Sequence, residues 1–189
     1  MSEKRAEMFN KKAAKPKYKS DEIIASLKIQ NGQIIADIGS GGGYFTYKFA
    51  KDVGEKGKVY AIDTNQEFLS YINKQANKQG LTNVVTIFNE SKYLDLPKKT
   101  FDIIFMRNVT HHLTNRIDYF KKLKEILKPN GKIAIIEYDE KGGFFNFHRL
   151  HHHYIPQNIL IKEMEQAGYT LNKSYNFLSE QSFMTFTLK

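Results

Sequence analysis

The sequence predicts an α/β protein with a doubly wound, mostly parallel seven-stranded sheet. Three observations carry that expectation. Five short apolar runs alternate with amphipathic segments of helical period, the pattern of a parallel sheet covered on both faces. A glycine-rich turn follows the first run and opens the first helix after it, where such sheets bind ligands. The last two apolar runs flank a tight join at 179–181, which predicts an antiparallel hairpin at the C-terminal edge.

Each element has its own signal. "SDEIIASLKI" (20–29) reads as a short helix capped by Ser20. "QIIADIG" (33–39) is a strand, too short and too continuously apolar for a surface helix. "YFTYKFAKDVG" (44–54) is a helix ending near Gly54 and Gly57. "KVYAID" (58–63) is the second strand. "NQEFLSYINKQANKQG" (65–80) is a helix with Phe68, Leu69, Ile72 and Ala76 on one face, stopped by Gly80. "VVTIFN" (84–89) and "FDIIFMRN" (101–108) are the third and fourth strands. "NRIDYFKKLKEILK" (115–128) sets Ile117, Phe120, Leu123 and Leu127 against lysines, and Pro129 with Gly131 ends it. "GKIAIIEY" (131–138) is the fifth strand, "QNILIKEMEQAG" (157–168) a helix, and "TLNKSYNFL" with "SFMTFTLK" the closing strands.

At 189 residues, 41% hydrophobic and 26% charged, the chain suits one packed domain and is too apolar for a disordered one. It has no cysteine. That excludes disulfides, thiolate metal ligands and a cysteine nucleophile, and fits a reducing compartment. The N-terminus lacks the apolar core of a secretory leader, and no run reaches the ~20 apolar residues of a membrane span. The expectation is a cytoplasmic protein. More than half of the net charge of +9 falls in residues 1–19, where Lys4, Arg5, Lys11, Lys12, Lys15, Lys17 and Lys19 face only Glu3 and Glu7. Only Arg5, Arg107, Arg116 and Arg149 are arginine, whereas nucleic-acid sites favour the arginine fork. Residues 1–19 therefore read as a solvated, partly ordered basic arm before a single domain over 20–189. Nucleic acid is disfavoured as a partner, with weak attraction to polyanions left open.

The stretch "IIADIGSGGGYF" (34–45) carries the functional signal. Glycines there permit positive φ and close approach of backbone to a ligand. The spacing departs from the dinucleotide pattern G-x-G-x-x-G, because Tyr44 stands at the last position, and no lysine follows to make a phosphate loop. What stands here is Asp37-x-Gly39-x-Gly41-x-Gly43. This resembles the first motif of class I S-adenosylmethionine-dependent methyltransferases at all four of that motif's positions. The resemblance extends through an ordered series of segments over about residues 20 to 189. It implies a Rossmann-like fold and S-adenosyl-L-methionine as cofactor. Asp37 would then attract the ammonium of the cofactor's amino-acid tail, directly or through water. Asp63, ending the second strand, sits where the family's ribose-binding acid sits. "NESKYLDLP" (89–97) looks like the loop whose acid contacts the adenine amino group. Glu90 and Asp95 both fit, and Glu90 is favoured because it lies at the strand's carboxyl end. Asn108 closes the set of expected cofactor contacts.

The methyl acceptor is less marked. Amino-methylating enzymes of adenine or cytosine carry Asn/Asp-Pro-Pro-aromatic after the fourth strand, and this chain reads Asn108-Val109-Thr110-His111. His111 and His112 are candidate catalytic bases, with packing or capping of the next helix as the competing reading. In "FFNFHRLHHHY" (144–154), His148 and His152 share a helical face, and His151 or His153 would have to complete a metal set. With no carboxylate in that segment, a lid is favoured and no metal is expected. Phe144, Phe145, Phe147 and Tyr154 would wall an apolar acceptor, or simply pack the loop. The leading function is methyl transfer to a small-molecule acceptor. RNA- or protein-directed methyl transfer using the basic arm, and a catalytically silent cofactor-binding protein, are the alternatives.

Overall fold

The computed structural model describes residues 2–90, 94–139 and 154–189. The seven strands follow the order β3-β2-β1-β4-β5-β7-β6. This is the expected seven-stranded, mostly parallel sheet with an antiparallel C-terminal pair. The chain forms two compact units, Met1–Ser91 and Lys92–Lys189.

The first unit runs α1 (Ser2–Ala13), α2 (Ser20–Leu27), β1 (Ile34–Ile38), α3 (Tyr44–Val53), β2 (Lys58–Asp63), α4 (Gln66–Lys78) and β3 (Val84–Phe88). β1 pairs with β2 in parallel, as β2 does with β3. Ile35, Ala36, Val59 and Ala61 are fully buried, as expected for parallel strands covered on both faces. α4 begins where Asn65 accepts from the Glu67 and Phe68 amides at 3.0 and 3.1 Å, satisfying donors that the helix itself leaves open. It ends at Gln79, with Gly80 in the left-handed region at φ 68°.

One expectation for this unit is corrected. Ser20 does not cap α2. Lys19 holds the cap position at φ 47° without a side-chain bond, and Ser20 Oγ donates to the Ala13 carbonyl at 2.6 Å. That carbonyl lies at the end of α1, where helix acceptors need an outside donor. Within the basic segment 1–19, α1 packs one face. Ala6, Ala13 and Tyr18 are buried, while Lys4, Lys11, Lys15 and Lys17 stay exposed. Ala6, Phe9 and Ala13 recur at helical spacing, so this apolar stripe gives a charged segment a face to pack. Ala6 packs with Phe68 and Tyr71 of α4, and the Phe9 and Phe68 rings meet edge to face at 5.6 Å.

The second unit runs β4 (Phe101–Arg107), α5 (Arg116–Ile126), β5 (Leu127–Tyr138), α6 (Gln157–Gln166), β6 (Tyr169–Tyr175) and β7 (Gln181–Leu188). β4 is parallel to β5, and β7 is antiparallel to both β5 and β6. The hairpin therefore enters the sheet through its second strand. β5 also starts earlier than expected. Leu127 pairs with Phe101 and Lys132 with Ile103, so the residues around Pro129 are absorbed as an irregularity in the ladder. Proline is tolerated where ladder pairing is broken. Arg116 holds α5 to α6 through a bidentate pair with Glu163, both bonds at 2.6 Å.

Candidate active site

In the first unit, the expected glycines and Asp63 meet at one turn. Gly39, Gly41 and Gly43 all take positive φ, at 72°, 54° and 83°. Backbone bonds tie the turn to β2: the Gly39 and Ser40 amides donate to the Ile62 carbonyl at 2.8 and 3.2 Å. Asp63 then latches it from the end of β2. One carboxylate oxygen accepts the Gly41 amide at 2.8 Å, and the other accepts the Asn65 amide at 2.9 Å. The same side chain thus fixes both the glycine turn and the start of α4.

Asp37 plays a deeper part than expected. It is 3% exposed, and its Oδ2 accepts the Thr46 hydroxyl of α3 at 2.6 Å. Its charge acts from beneath the turn and not at its surface.

Gly42 lies between the glycines that the motif specifies, and its surroundings were missed from the sequence. A β-carbon there would overlap the Ala6 carbonyl oxygen and Asn10 Oδ1, and would lie 2.8 Å from Asn10 Cγ. The Gly42 carbonyl accepts from Asn10 Nδ2 at 2.7 Å and from the Tyr47 hydroxyl at 3.1 Å. Burial raises the Tyr47 pKa above the usual tyrosine value, so the phenol stays a donor. At Gly41 the nearest neighbour of an added β-carbon is Phe9, at 3.4 Å. Crowding by protein is thus severe at Gly42 and mild at Gly41.

The turn suits a polar ligand. Ser40 Oγ and Asn10 Oδ1 are buried and lack a hydrogen-bond partner among the described residues. Buried polar atoms without partners are uncommon in folded proteins and ask for an explanation. A ligand with hydroxyl and amine groups, as S-adenosylmethionine has, would provide one. Glu90 follows β3 and is exposed; Asp95 is exposed too, beyond residues 91–93, which lie outside the described set.

In the second unit, the segment after β4 is held as firmly. Asn108 adopts φ 55°, its amide donates to the Ile136 carbonyl at 2.8 Å, and its side-chain oxygen accepts from Gln181 at 2.6 Å. Thr110–His112 form a single 3-10 turn. Neither histidine caps α5, whose cap position is Asn115. His112 is exposed, whereas His111 turns in to Glu137, with Nδ1 at 2.9 Å from Oε1. Glu137 is wholly buried near the end of β5 and was not singled out from the sequence. The signal was there: an acid inside the apolar run "IAIIEY". The histidine and phenylalanine cluster at 144–153 lies outside the described residues, and with it the lid and metal readings.

A methyltransferase-domain family model matches residues 29–178. Among solved structures, an S-adenosylmethionine-dependent methyltransferase from Aquifex aeolicus superposes with a TM-score of 0.81 at 27% identity, covering 89% of each chain. The ubiquinone/menaquinone biosynthesis C-methyltransferase UbiE of Ectopseudomonas mendocina is 27% identical over 75% of this chain and 60% of its own length. Its counterpart in Haemophilus ducreyi is 28% identical over 80% of this chain and 58% of its own length. The chain thus spans less than two thirds of these two curated relatives. With the glycine turn, the sheet order and the matched residues in agreement, the chain belongs to the methyltransferase-domain family.

Proposed function

We propose that this chain transfers a methyl group from S-adenosylmethionine to a small-molecule acceptor, with Asp37, Gly39, Gly41, Gly43, Asp63 and Glu90 of the first unit binding the cofactor. The observation that carries this reading is the Asp63 latch on the Gly41 amide. It sets a carboxylate beside a glycine turn that has buried, unpartnered polar atoms nearby. Bound there, S-adenosylmethionine supplies a methyl carbon already activated by a cationic sulfur. The protein's work is then mainly orientation and exclusion of water. Asp63 accepts from ribose hydroxyls with its remaining lone pairs, Asp37 supplies negative charge from below, and Glu90 takes the adenine amine.

Two observations favour a small acceptor. The basic segment that a nucleic-acid or protein substrate would use is committed to packing through Ala6, Phe9 and Ala13. The curated relatives are named as C-methyltransferases of ubiquinone/menaquinone biosynthesis, which points to aromatic quinols as the first class to try. The test is to incubate the protein with methyl-labelled S-adenosylmethionine and a cell extract separated into small-molecule, RNA and protein fractions. Label is expected in the small-molecule fraction. Label confined to RNA or protein would overturn the acceptor reading and favour a macromolecular substrate.

A further inference from the structure

Three donors and one imidazole nitrogen meet on Glu137. Its Oε2 accepts the Thr110 hydroxyl at 2.6 Å and the His111 amide at 3.2 Å. Its Oε1 stands 2.9 Å from His111 Nδ1 and accepts the Tyr138 amide at 3.0 Å. Glu137 is 0% exposed and Thr110 1%. Three donors spread over both oxygens are the hydrogen-bonding pattern of an acceptor-only carboxylate. A carboxylate facing Nδ1 requires the proton on Nδ1, and this leaves the ring's lone pair on Nε2.

The turn carrying His111 follows the carboxyl end of β4, the end at which doubly wound sheets bind ligands. His112 lies beside His111, with ring centres 4.0 Å apart and planes tilted by 52°. The Arg116 guanidinium feels the Glu137 charge but is bound bidentately by Glu163, the larger of the two influences that raise its pKa. The Asp139 carboxylate is turned to the Gln157 amide of α6 at 3.3 Å.

We propose that Glu137 is a positioning residue that holds His111 as the Nδ1–H tautomer, so that Nε2 takes the proton of an acceptor that must lose one as it is methylated. A buried acid bound to histidine Nδ1 performs this service in hydrolytic triads, where it also steadies the imidazolium that forms. This assignment rests on methyl transfer as proposed above and adds the chemical class of acceptor: a hydroxyl-bearing aromatic, methylated on oxygen or on the ring carbon that the phenolate activates. A bond forms from that oxygen or carbon to the methyl carbon. The methyl carbon–sulfur bond breaks and its electron pair goes to sulfur. The hydroxyl O–H bond breaks and its proton goes to Nε2. On the oxygen route solvent later takes it from there; on the carbon route the methylated ring carbon loses its own hydrogen to solvent, and the oxygen takes a proton back as the ring regains its aromaticity. A tertiary amine or a thioether needs no such base.

Two measurements test this. Long-range proton–nitrogen NMR of the full chain, with His111 assigned against His111→Gln, reads the tautomer directly. The expected result is a protonated Nδ1 and bare Nε2 in mildly alkaline buffer, and a mixed population in Glu137→Gln, whose amide nitrogen cannot accept. A protonated Nε2 in the wild-type chain would overturn the proposal. The second measurement offers naphthoquinol or N,N-dimethylaniline with labelled S-adenosylmethionine. Transfer to the quinol and not to the aniline is expected. His111→Ala should lower turnover by about 10²–10⁴-fold, with partial rescue by added imidazole and no change in cofactor affinity by calorimetry. Wild-type turnover in His111→Ala, or preference for the aniline, would contradict the proposal. So would failure to methylate the quinol when calorimetry shows the cofactor bound. Absence of cofactor binding in the wild-type chain would instead strike the cofactor site proposed above, leaving the NMR result to judge the tautomer.

Discussion

Glu137→Leu is expected to lower the unfolding free energy by about 3–5 kcal/mol, the usual cost of removing one partner from a buried charged network. For a chain of this length that corresponds to a Tm drop of about 6–20 °C. The cause is specific. Leucine refills the volume, but the Thr110 hydroxyl, the His111 amide and Nδ1, and the Tyr138 amide all lose their acceptor, and unmet buried donors are costly. Glu137→Gln keeps one acceptor oxygen and should lose a smaller share of the stability. Thermal and urea unfolding of both variants check this. A leucine variant as stable as the wild type would mean that the network is not satisfied as described.

Gly42→Val is expected to detach α1 from the glycine turn. The added side chain would occupy the space of the Ala6 carbonyl and the Asn10 amide, and overpacking of this kind costs about 1–3 kcal/mol. Around that turn α1 is held by the buried Ala6, the Phe9–Phe68 contact, the Asn10 bond to Gly42, and an exposed Glu3–Lys74 pair at 2.9 Å. Exposed pairs contribute little. Hydrogen exchange should therefore speed up over residues 2–13 while β1, β2 and β3 stay protected. Gly80→Ala is the control. It has positive φ but open space around it, so it should show backbone strain without any effect on α1. Unchanged protection of α1 in Gly42→Val would contradict the packing.

The strands and helices were legible because their periods are unambiguous. The six residues of β2 coincide with the run "KVYAID", and α4 with the apolar face of Phe68, Leu69, Ile72 and Ala76. α1 was obscured by charge: its lysines dominate the composition, while its packing face consists of two alanines and Phe9. The strand order within the hairpin has no local signal, since either strand of a hairpin can face the sheet interior. At the site, the glycine spacing led to Asp63 because a motif has fixed intervals. Glu137 belongs to no such interval. Its role arises only when β4 and β5 pair in parallel, Arg107 beside Ile136, and bring the following turn over it. Asp37 was singled out from the sequence by the same motif, but a sequence does not tell a carboxylate at the surface from one buried under Thr46.

The most direct test of the account is a calorimetric titration of wild type and Asp63→Ala with S-adenosylmethionine and S-adenosylhomocysteine. Both ligands carry the same ribose, and Asp63 also latches the turn at Gly41 and Asn65. Charge-assisted hydrogen bonds are worth about 1.5–3 kcal/mol. The account predicts one ligand bound per wild-type chain and an affinity loss of about tenfold to a hundredfold for both ligands in the folded variant. Equal affinity of wild type and Asp63→Ala for either ligand would contradict it.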